Sequence, residues 1–339
     1  MVCVARPIER VLVVSLGSIG RRHLRNLRSL LPRADLAVLR RPGSAATAEG
    51  ASHVFHDLAS ALAFRPDAAI VASPATEHLA VTRALVAEGI PVLVEKPFAD
   101  RLEGLATLVA EADRRNVPLF VAYNLRFHPM VQRVKAILAE QAIGRVLTVR
   151  AEVGQYLPDW RPGQPYREGV SARRDLGGGA LLELSHELDY VSWLLGRPER
   201  LFAAGGQLGD LGIDVEDAVA LTLRYGPAAP IVTVILDFLQ RAVTRQLRIV
   251  GTEGTLAADL MTGELDLYRA VTGAWSREIC RPADGNQLYL DEVTAFFSAL
   301  SGGPAPVLAS GRQGVDVVCQ VEAARQSMAE RREVEIDYA

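Results

Sequence analysis

The sequence predicts an α/β protein of two domains: a doubly wound parallel sheet over residues 1–122, then an α/β domain with an open, mostly antiparallel sheet over 123–339. Three observations predict it. Short apolar runs alternate with helical patterns as far as Ala122, which calls for right-handed crossovers between parallel strands. Beyond Tyr123 the strand-like segments lengthen and follow one another with few helices between them. The chain has 339 residues, too many for one ordinary core, and its 49% hydrophobic content is enough for two.

Val11-Leu12-Val13-Val14 is a short apolar run ending in a small-residue loop, the pattern of a strand buried on both faces. Residues 19–31 carry an apolar stripe of Ile19, Leu24, Leu27, Leu30 and Leu31 and stop at Pro32, so they read as a helix. Strands are expected at 36–39 and 68–72. Ser73-Pro74 then leads into a helix over about 77–88, which Gly89 ends. A strand at 92–94 has Glu95-Lys96-Pro97 at its carboxyl end, followed by a helix at 102–115 and a strand at 119–122. In the second half, strands are expected at 145–153, 200–207, 218–225, 231–239 and 246–250, with a hairpin turn at 251–254. Helices are expected at 129–140, 180–195, 288–300 and 313–330. The domain boundary falls near 122–124, without a repeat or a low-complexity linker.

Basic residues number 37 and acidic residues 40, and the arginine pairs Arg21-Arg22, Arg40-Arg41 and Arg173-Arg174 are too scattered for a basic stripe. Nucleic acid and anionic membrane are therefore not expected as partners. Cys3, Cys280 and Cys319 show no paired spacing, which argues against a disulfide framework or zinc site and for a reducing compartment. No apolar run approaches the ~18 residues of a membrane span, and the N-terminus does not read as a signal peptide. A cytoplasmic location is the expectation.

The loop Ser15-Leu16-Gly17-Ser18-Ile19-Gly20 joins the first strand to the first helix. Phosphate binding there needs close backbone approach and free N–H groups at a helix N-terminus. Gly17 and Gly20 take the second and third glycine positions of G-x-G-x-x-G, with Ser15 at the first. A serine can make the tight turn if its φ stays negative, and its hydroxyl suits a phosphate. About twenty residues on, where an acidic residue would grip the ribose 2′-hydroxyl of NAD, stand Arg40-Arg41 and then Ser44. An arginine suits a 2′-phosphate by its charge and its fork of donors. NADP(H) is therefore the preferred cofactor; NAD(H) stays open, because Arg40 can also stack on adenine.

Glu183-x-x-His186 mimics half of a di-iron site, but no second such pair is visible, and Tyr190 breaks the H-E-x-x-H zinc pattern begun by His186-Glu187. No metal is expected. His186 is the best general acid/base by its imidazole chemistry, with Glu183 three residues earlier on the same helical face to orient it.

The loop, Glu95-Lys96-Pro97, Asn124-Leu125-Arg126-Phe127-His128-Pro129, and Gly177-Gly178-Gly179-Ala180-Leu181-Leu182-Glu183 with His186 and Asp189 resemble the glucose–fructose oxidoreductase/inositol dehydrogenase (Gfo/Idh/MocA) family over essentially the whole chain. The resemblance implies an N-terminal Rossmann domain binding NAD(P) and a C-terminal domain that binds substrate. It also implies reversible hydride transfer at a carbinol carbon of a sugar, cyclitol or derivative, and a homodimer or homotetramer formed through the open sheet. It places Lys96 beside the nicotinamide, where a cation stabilises a developing alkoxide and relays a proton. It places Glu95 near the nicotinamide ribose, a cis peptide before Pro97, the segment Ser73-Pro74-Ala75-Thr76-Glu77-His78 flanking the cofactor, Asn124 and Arg126 facing the cleft, and Asp189 among the substrate contacts. His78 reads equally as a cofactor contact and as a plain helix N-terminal residue. The family pattern has Asp at 183 and histidine four residues later; here Glu183 and His186 are one residue closer, while the His186-to-Asp189 spacing is kept. The preceding segment, with Tyr156, Trp160, Arg161, Tyr166 and Arg167, resembles a surface-polysaccharide branch that recognises anionic or nucleotide-linked sugars. Aromatic planes stack on sugars and arginines bind carboxylate or phosphate; a packed structural loop is the competing reading. Two other functions remain open: a non-catalytic cofactor or sugar sensor, and redox-neutral epimerisation or glycoside cleavage with a tightly held cofactor.

Overall fold

A computed structural model describes residues 8–41, 43, 48–227 and 229–338; Cys3 and Ser44 lie outside them. The chain divides into two compact units, Met1–Asn124 with Gly285–Val315, and Leu125–Asp284 with Asp316–Ala339.

The first unit begins with β1 (Arg10–Val14), α1 (Ser18–Leu30), β2 (Asp35–Leu39), β3 (His53–Phe55), α2 (Leu58–Ala63), β4 (Ala68–Val71), α3 (Ala75–Ala87), β5 (Val92–Glu95), α4 (Leu105–Arg115) and β6 (Leu119–Ala122). The six strands are parallel, in the order β6-β5-β4-β1-β2-β3. Val11, Leu12 and Val13 of the central β1 are fully buried, as parallel strands covered on both faces must be. β3 and α2 have no expected counterpart. β3 has only three residues, none of them buried. α2 is six residues long and depends on a cap, the Asp57 carboxylate accepting the Ser60 N–H at 2.8 Å.

The second unit opens with a 3-10 turn at Asn124–Phe127 and continues through α5 (Pro129–Ala139), β7 (Val146–Gly154), α6 (Ala180–Glu183), α7 (His186–Leu195), β8 (Arg200–Gly206), β9 (Ala218–Arg224), β10 (Ile231–Asp237), β11 (Thr244–Gly251), β12 (Gly254–Asp259), β13 (Glu264–Arg269) and β14 (Ala274–Ile279). The sheet is antiparallel except for β7 and β10, which pair in parallel. The single helix expected over 180–195 is two, broken at Leu184 and Ser185. β13 and β14 were not expected: β14 is almost wholly exposed, so no alternation marks it.

The chain ends with α8 (Gln287–Leu300), β15 (Ala309–Ser310), α9 (Gly311–Glu330) and β16 (Val334–Glu335). Here the expected division at 122–124 needs correcting, because residues 285–315 belong to the first unit. β15 adds to β6 as an antiparallel edge, Ala309 opposite Val121, and α8 buries Leu288, Val293 and Phe296. The Phe296 ring meets Phe120 of β6 edge-on, with centroids 6.1 Å apart. β16 closes the second sheet on β8. Among the described residues no helix is long and apolar enough to cross a membrane.

Candidate active site

The first unit holds a cleft of about 480 Å³ at the carboxyl ends of β1, β2 and β4, lined by Ser15, Gly17, Arg40, Arg41, Ser73 and Glu77 among others. Ser15 sits at φ 76°, in the left-handed region, so the expectation of a negative φ is corrected. Its N–H bonds Leu39 O at 2.8 Å, which ties the turn to β2. A Cβ at Gly20 would lie 2.1 Å from Ser15 O, so the helix can approach this turn only with glycine there. A Cβ at Gly17 would meet nothing within 4 Å, and Gly17 caps α1 without any side-chain bond. The first N–H groups of α1, at Ser18 and Ile19, thus lack a side-chain cap and suit an anion. Ser73 Oγ is buried without a hydrogen-bond partner at the same cleft. These features fit a dinucleotide: a bare helix N-terminus for its pyrophosphate and an orphaned hydroxyl beside it.

Arg40 is buried at the end of β2, while Arg41 is exposed and ion-paired with Glu77 of α3. Glu77, in the segment expected to flank the cofactor, lines this cleft, as do His56 and Asp57, which were missed in the sequence because only the fold brings them to it. Of the two readings of His78, the geometry agrees with the structural one. The residue is 1% exposed and both its ring nitrogens face backbone carbonyls, Ser73 O at 2.7 Å and Pro97 O at 2.9 Å. It clamps two loops and leaves no ring atom for a cofactor. Two carbonyl acceptors favour the charged ring, but burial outweighs them and pushes its pKa down.

Glu95 ends β5, and the Lys96–Pro97 peptide is cis. One Glu95 carboxylate oxygen lies 2.6 Å from His23 Nε2 and the other accepts the Lys96 N–H at 3.2 Å. Asn124 is buried and hydrogen-bonds the Tyr289 phenol, whose pKa burial raises. His23 and Tyr289 were both missed in the sequence. His23 does stand three residues beyond Gly20, on a helix whose core face a polar residue would not normally join.

In the second unit, Arg126 and Asp189 form a two-pronged ion pair, with Nε and Nη2 at 2.9 and 2.7 Å and both side chains at most 2% exposed. Their expected role as substrate contacts is corrected, because each is spent on the other inside the core. Burial raises the Asp189 pKa, and Arg126 pulls it back. Beside them the Lys135 ammonium lies 3.8 Å from the Trp193 ring centre. His128 caps α5, its Nδ1 accepting the Met130 N–H at 3.1 Å; burial first, then Arg245, pushes its pKa down to about 4.

Gly179, at φ 111°, opens α6. A Cβ there would lie 2.4 Å from the Glu216 carboxylate, which accepts the Leu181 N–H. Glu183 is the last residue of α6 and His186 the first of α7, so the expectation that they share one helical face is corrected. Glu183 accepts from Ser171 Oγ at 2.9 Å. Both side chains are half-buried. Glu187, fully buried, pairs with Arg245 at 2.9 Å.

Most of the loop before the glycines is engaged in holding its own shape. Trp160 Nε1 donates to Gln155 O at 3.1 Å, and its ring packs edge-on against Phe238. The Tyr166 hydroxyl and Arg167 both donate to Leu211 O, at 2.8 and 2.9 Å. Tyr156 lies under Arg241 at 3.5 Å. The structural reading of the loop therefore holds for Trp160 and Tyr166, while Arg161 is exposed. Among the described residues no cluster of three metal-ligating side chains occurs.

Residues 9–123 match the oxidoreductase family with an NAD-binding Rossmann fold, and residues 131–257 the GFO/IDH/MocA C-terminal domain. The chain belongs to the GFO/IDH/MocA family. It is an NAD(P)-binding oxidoreductase of that family. Inositol 2-dehydrogenase 2 of Paenarthrobacter aurescens is 27% identical over 94% of this chain and 96% of its own. D-xylose 1-dehydrogenase (NADP(+)) 2 of Haloferax volcanii is 26% identical over 80% and 81%. The WlbA dehydrogenase of Bordetella pertussis, solved with NADH and UDP-GlcNAcA, shares the fold with a TM-score of 0.80 at 24% identity, over 98% of this chain and all of that one. Against the GFO/IDH/MocA pattern, the shortened Glu183-to-His186 interval coincides with the break between α6 and α7.

Proposed function

We propose that the protein is an NADP(H)-preferring dehydrogenase or reductase acting at a carbinol carbon of a sugar, with a nucleotide-linked or otherwise anionic sugar as the substrate class. The observation that carries the chemistry is Lys96. The chain holds 35 arginines and only two lysines, Lys96 and Lys135. A chain that meets nearly every need for positive charge with arginine keeps lysine at the end of β5. Arginine stays protonated throughout the working range, whereas an ammonium can give up its proton and take it back. The bound cofactor would accept or supply hydride at its nicotinamide C4. Lys96 would stabilise the alkoxide that develops on the substrate oxygen, and His186 would exchange the hydroxyl proton.

The NADP(H) preference rests on Arg40 and Arg41 at the end of β2, and the xylose enzyme among the relatives is named for NADP(+). The anionic sugar rests on the exposed Arg161 and on the UDP-GlcNAcA bound by WlbA. The reading includes a homodimer or homotetramer through the second sheet, where Phe202, Ile231 and Trp275 are 42–56% exposed, and a cytoplasmic location, consistent with Cys280 and Cys319 standing outside any disulfide. Light scattering tests the assembly.

The kinetic test is K96A, K96R and H186A assayed over a panel of sugars and nucleotide sugars. Turnover is expected to fall about 10²–10⁴-fold in K96A and H186A, with dinucleotide affinity nearly unchanged and no rescue in K96R. Retained turnover in H186A or K96A refutes the corresponding role. A lower KM for NADH than for NADPH refutes the cofactor preference.

A further inference from the structure

Behind Lys96 lies a buried imidazole–carboxylate bond that the proposed reaction does not itself use. His23, on α1, is fully buried, and its Nε2 is 2.6 Å from Glu95 Oε1. Glu95 Oε2 accepts the Lys96 backbone N–H at 3.2 Å. The carboxylate is thus held at both oxygens, one by the helix behind it and one by the residue whose ammonium is needed. Tyr289 of α8 meets the imidazole edge-on, with centroids 6.3 Å apart, and Arg22 lies 4.3 Å from the Tyr289 ring centre. α8 therefore packs against the pair within the same unit.

The arrangement is costly. His23 Nδ1 is buried without a hydrogen-bond partner, and an unmet polar atom in a core is destabilising. An unmet lone pair is tolerated better than an unmet N–H, which puts the proton on Nε2, donating to Glu95. Leucine at position 23 would pack α1 against the sheet without that cost. A polar residue kept there points to a need for fixed geometry, as with the outer partners that orient ligating or reacting side chains.

We propose that His23 is a positioning residue for Lys96: its bond to Glu95 fixes the carboxylate plane, and the carboxylate fixes the backbone at 95–96 from which the ammonium projects. This rests on the role proposed above for Lys96. Without the imidazole, Glu95 regains its rotamers, the turn at Lys96 loosens, and the ammonium spends less time where the alkoxide forms. The loss falls on kcat, because dinucleotide binding uses the Ser15–Gly20 loop.

Lys96 and Lys135 are the only lysines in the chain, so amine labelling compares one directly with the other. Wild type, K96A, H23A and H23Q are assayed for turnover, dinucleotide affinity and thermal midpoint. Labelling of each lysine by pyridoxal phosphate and borohydride is followed by peptide mass spectrometry. H23A is expected to lower kcat about 10–100-fold, to leave dinucleotide affinity within about twofold, and to change the Lys96 labelling rate severalfold with Lys135 unchanged. H23Q, whose amide N–H stands in for Nε2–H, is expected to restore both readouts. If H23A does not fold, H23N replaces it; its amide sits at the Nδ1 position and does not reach Glu95. Wild-type kcat and Lys96 labelling in folded H23A or H23N overturn the proposal, as does an H23Q protein equally impaired. Turnover kept in K96A, with Lys96 labelling still altered in H23A, would instead defeat the role of Lys96 and leave the positioning by His23 standing.

Discussion

Ser15 is the position where a single change should raise stability. Its φ of 76° puts an L-residue in the left-handed region, which costs roughly 1–2 kcal/mol. Ser15→Gly removes that cost but gives the unfolded chain more freedom, about 0.5–1 kcal/mol in the opposite direction. The net expectation is a gain of about 0.5–1 kcal/mol. In a chain this long that raises the thermal midpoint by only about 1–2 °C, extrapolating the size dependence of such shifts, so denaturant midpoints in replicate are the better assay. Ser15→Ala is the control: it removes the hydroxyl and keeps the Cβ, so it should bring no gain. If the hydroxyl touches phosphate, both variants lose the same threefold to tenfold in dinucleotide affinity, the worth of one neutral hydrogen bond. A less stable S15G protein would refute the reasoning, because it would mean the left-handed turn holds no strain at Ser15 for glycine to relieve.

Breaking the Arg126–Asp189 pair from one side, as R126M or D189N, should cost about 3–5 kcal/mol of unfolding free energy, whereas R126M/D189L together should cost much less; urea melts of the single and double variants check this. His128 makes the fold acid-sensitive. Its folded pKa of about 4 lies below the ordinary 6.5, so the unfolded chain binds the extra proton. Stability is full above pH 6.5 and falls towards pH 4, by up to about 3 kcal/mol. H128N keeps an acceptor for the Met130 N–H and should flatten that part of the pH–stability curve. R161A should raise KM for an anionic sugar without moving the thermal midpoint, while W160A should lower the midpoint; Michaelis curves beside thermal melts separate the two.

The coenzyme unit was legible because its rules are local. A buried parallel strand is an unbroken apolar run, and β1, β2, β4, β5 and β6 each show one. What stayed hidden depends on contacts made far along the chain. β3 and β14 are too exposed to carry an apolar pattern, and β15 is two residues long. The return of residues 285–315 to the first unit was illegible for a related reason. α8 buries Leu288, Val293 and Phe296 as a helix of either unit would, and its amphipathic stripe does not say which sheet it covers.

Within the site the same division decides which expectations needed correcting. Of the residues read from backbone requirements, Gly20 lies where the turn needs a glycine and Gly17 leaves the helix N-terminus open, while Ser15 takes the left-handed φ that a serine was expected to avoid. Several polar side chains expected at ligands instead meet the protein itself. An arginine, a tryptophan or a histidine is as able to satisfy a buried carbonyl or carboxylate as to hold a ligand, and the sequence gives no sign of which partner wins. Arg126 goes to Asp189, His78 to two carbonyls, Trp160 to the loop's own backbone, and Arg167, through Nε, to the Leu211 carbonyl between β8 and β9. His78 and Trp160 have their ring nitrogens engaged before a substrate arrives, and breaking such a bond to meet a sugar would cost about what the new one returns. If the substrate is the anionic sugar proposed above, its recognition by this loop would fall to an exposed arginine not already tied to the protein. Of the four arginines between β7 and the glycines, Arg167 is tied to the Leu211 carbonyl, Arg173 to Asp175 and Arg174 to Asp214, while Arg161 is exposed at the end of a turn that Trp160 anchors. On the proposed substrate, the aromatic residues would supply the rigidity and Arg161 the charge.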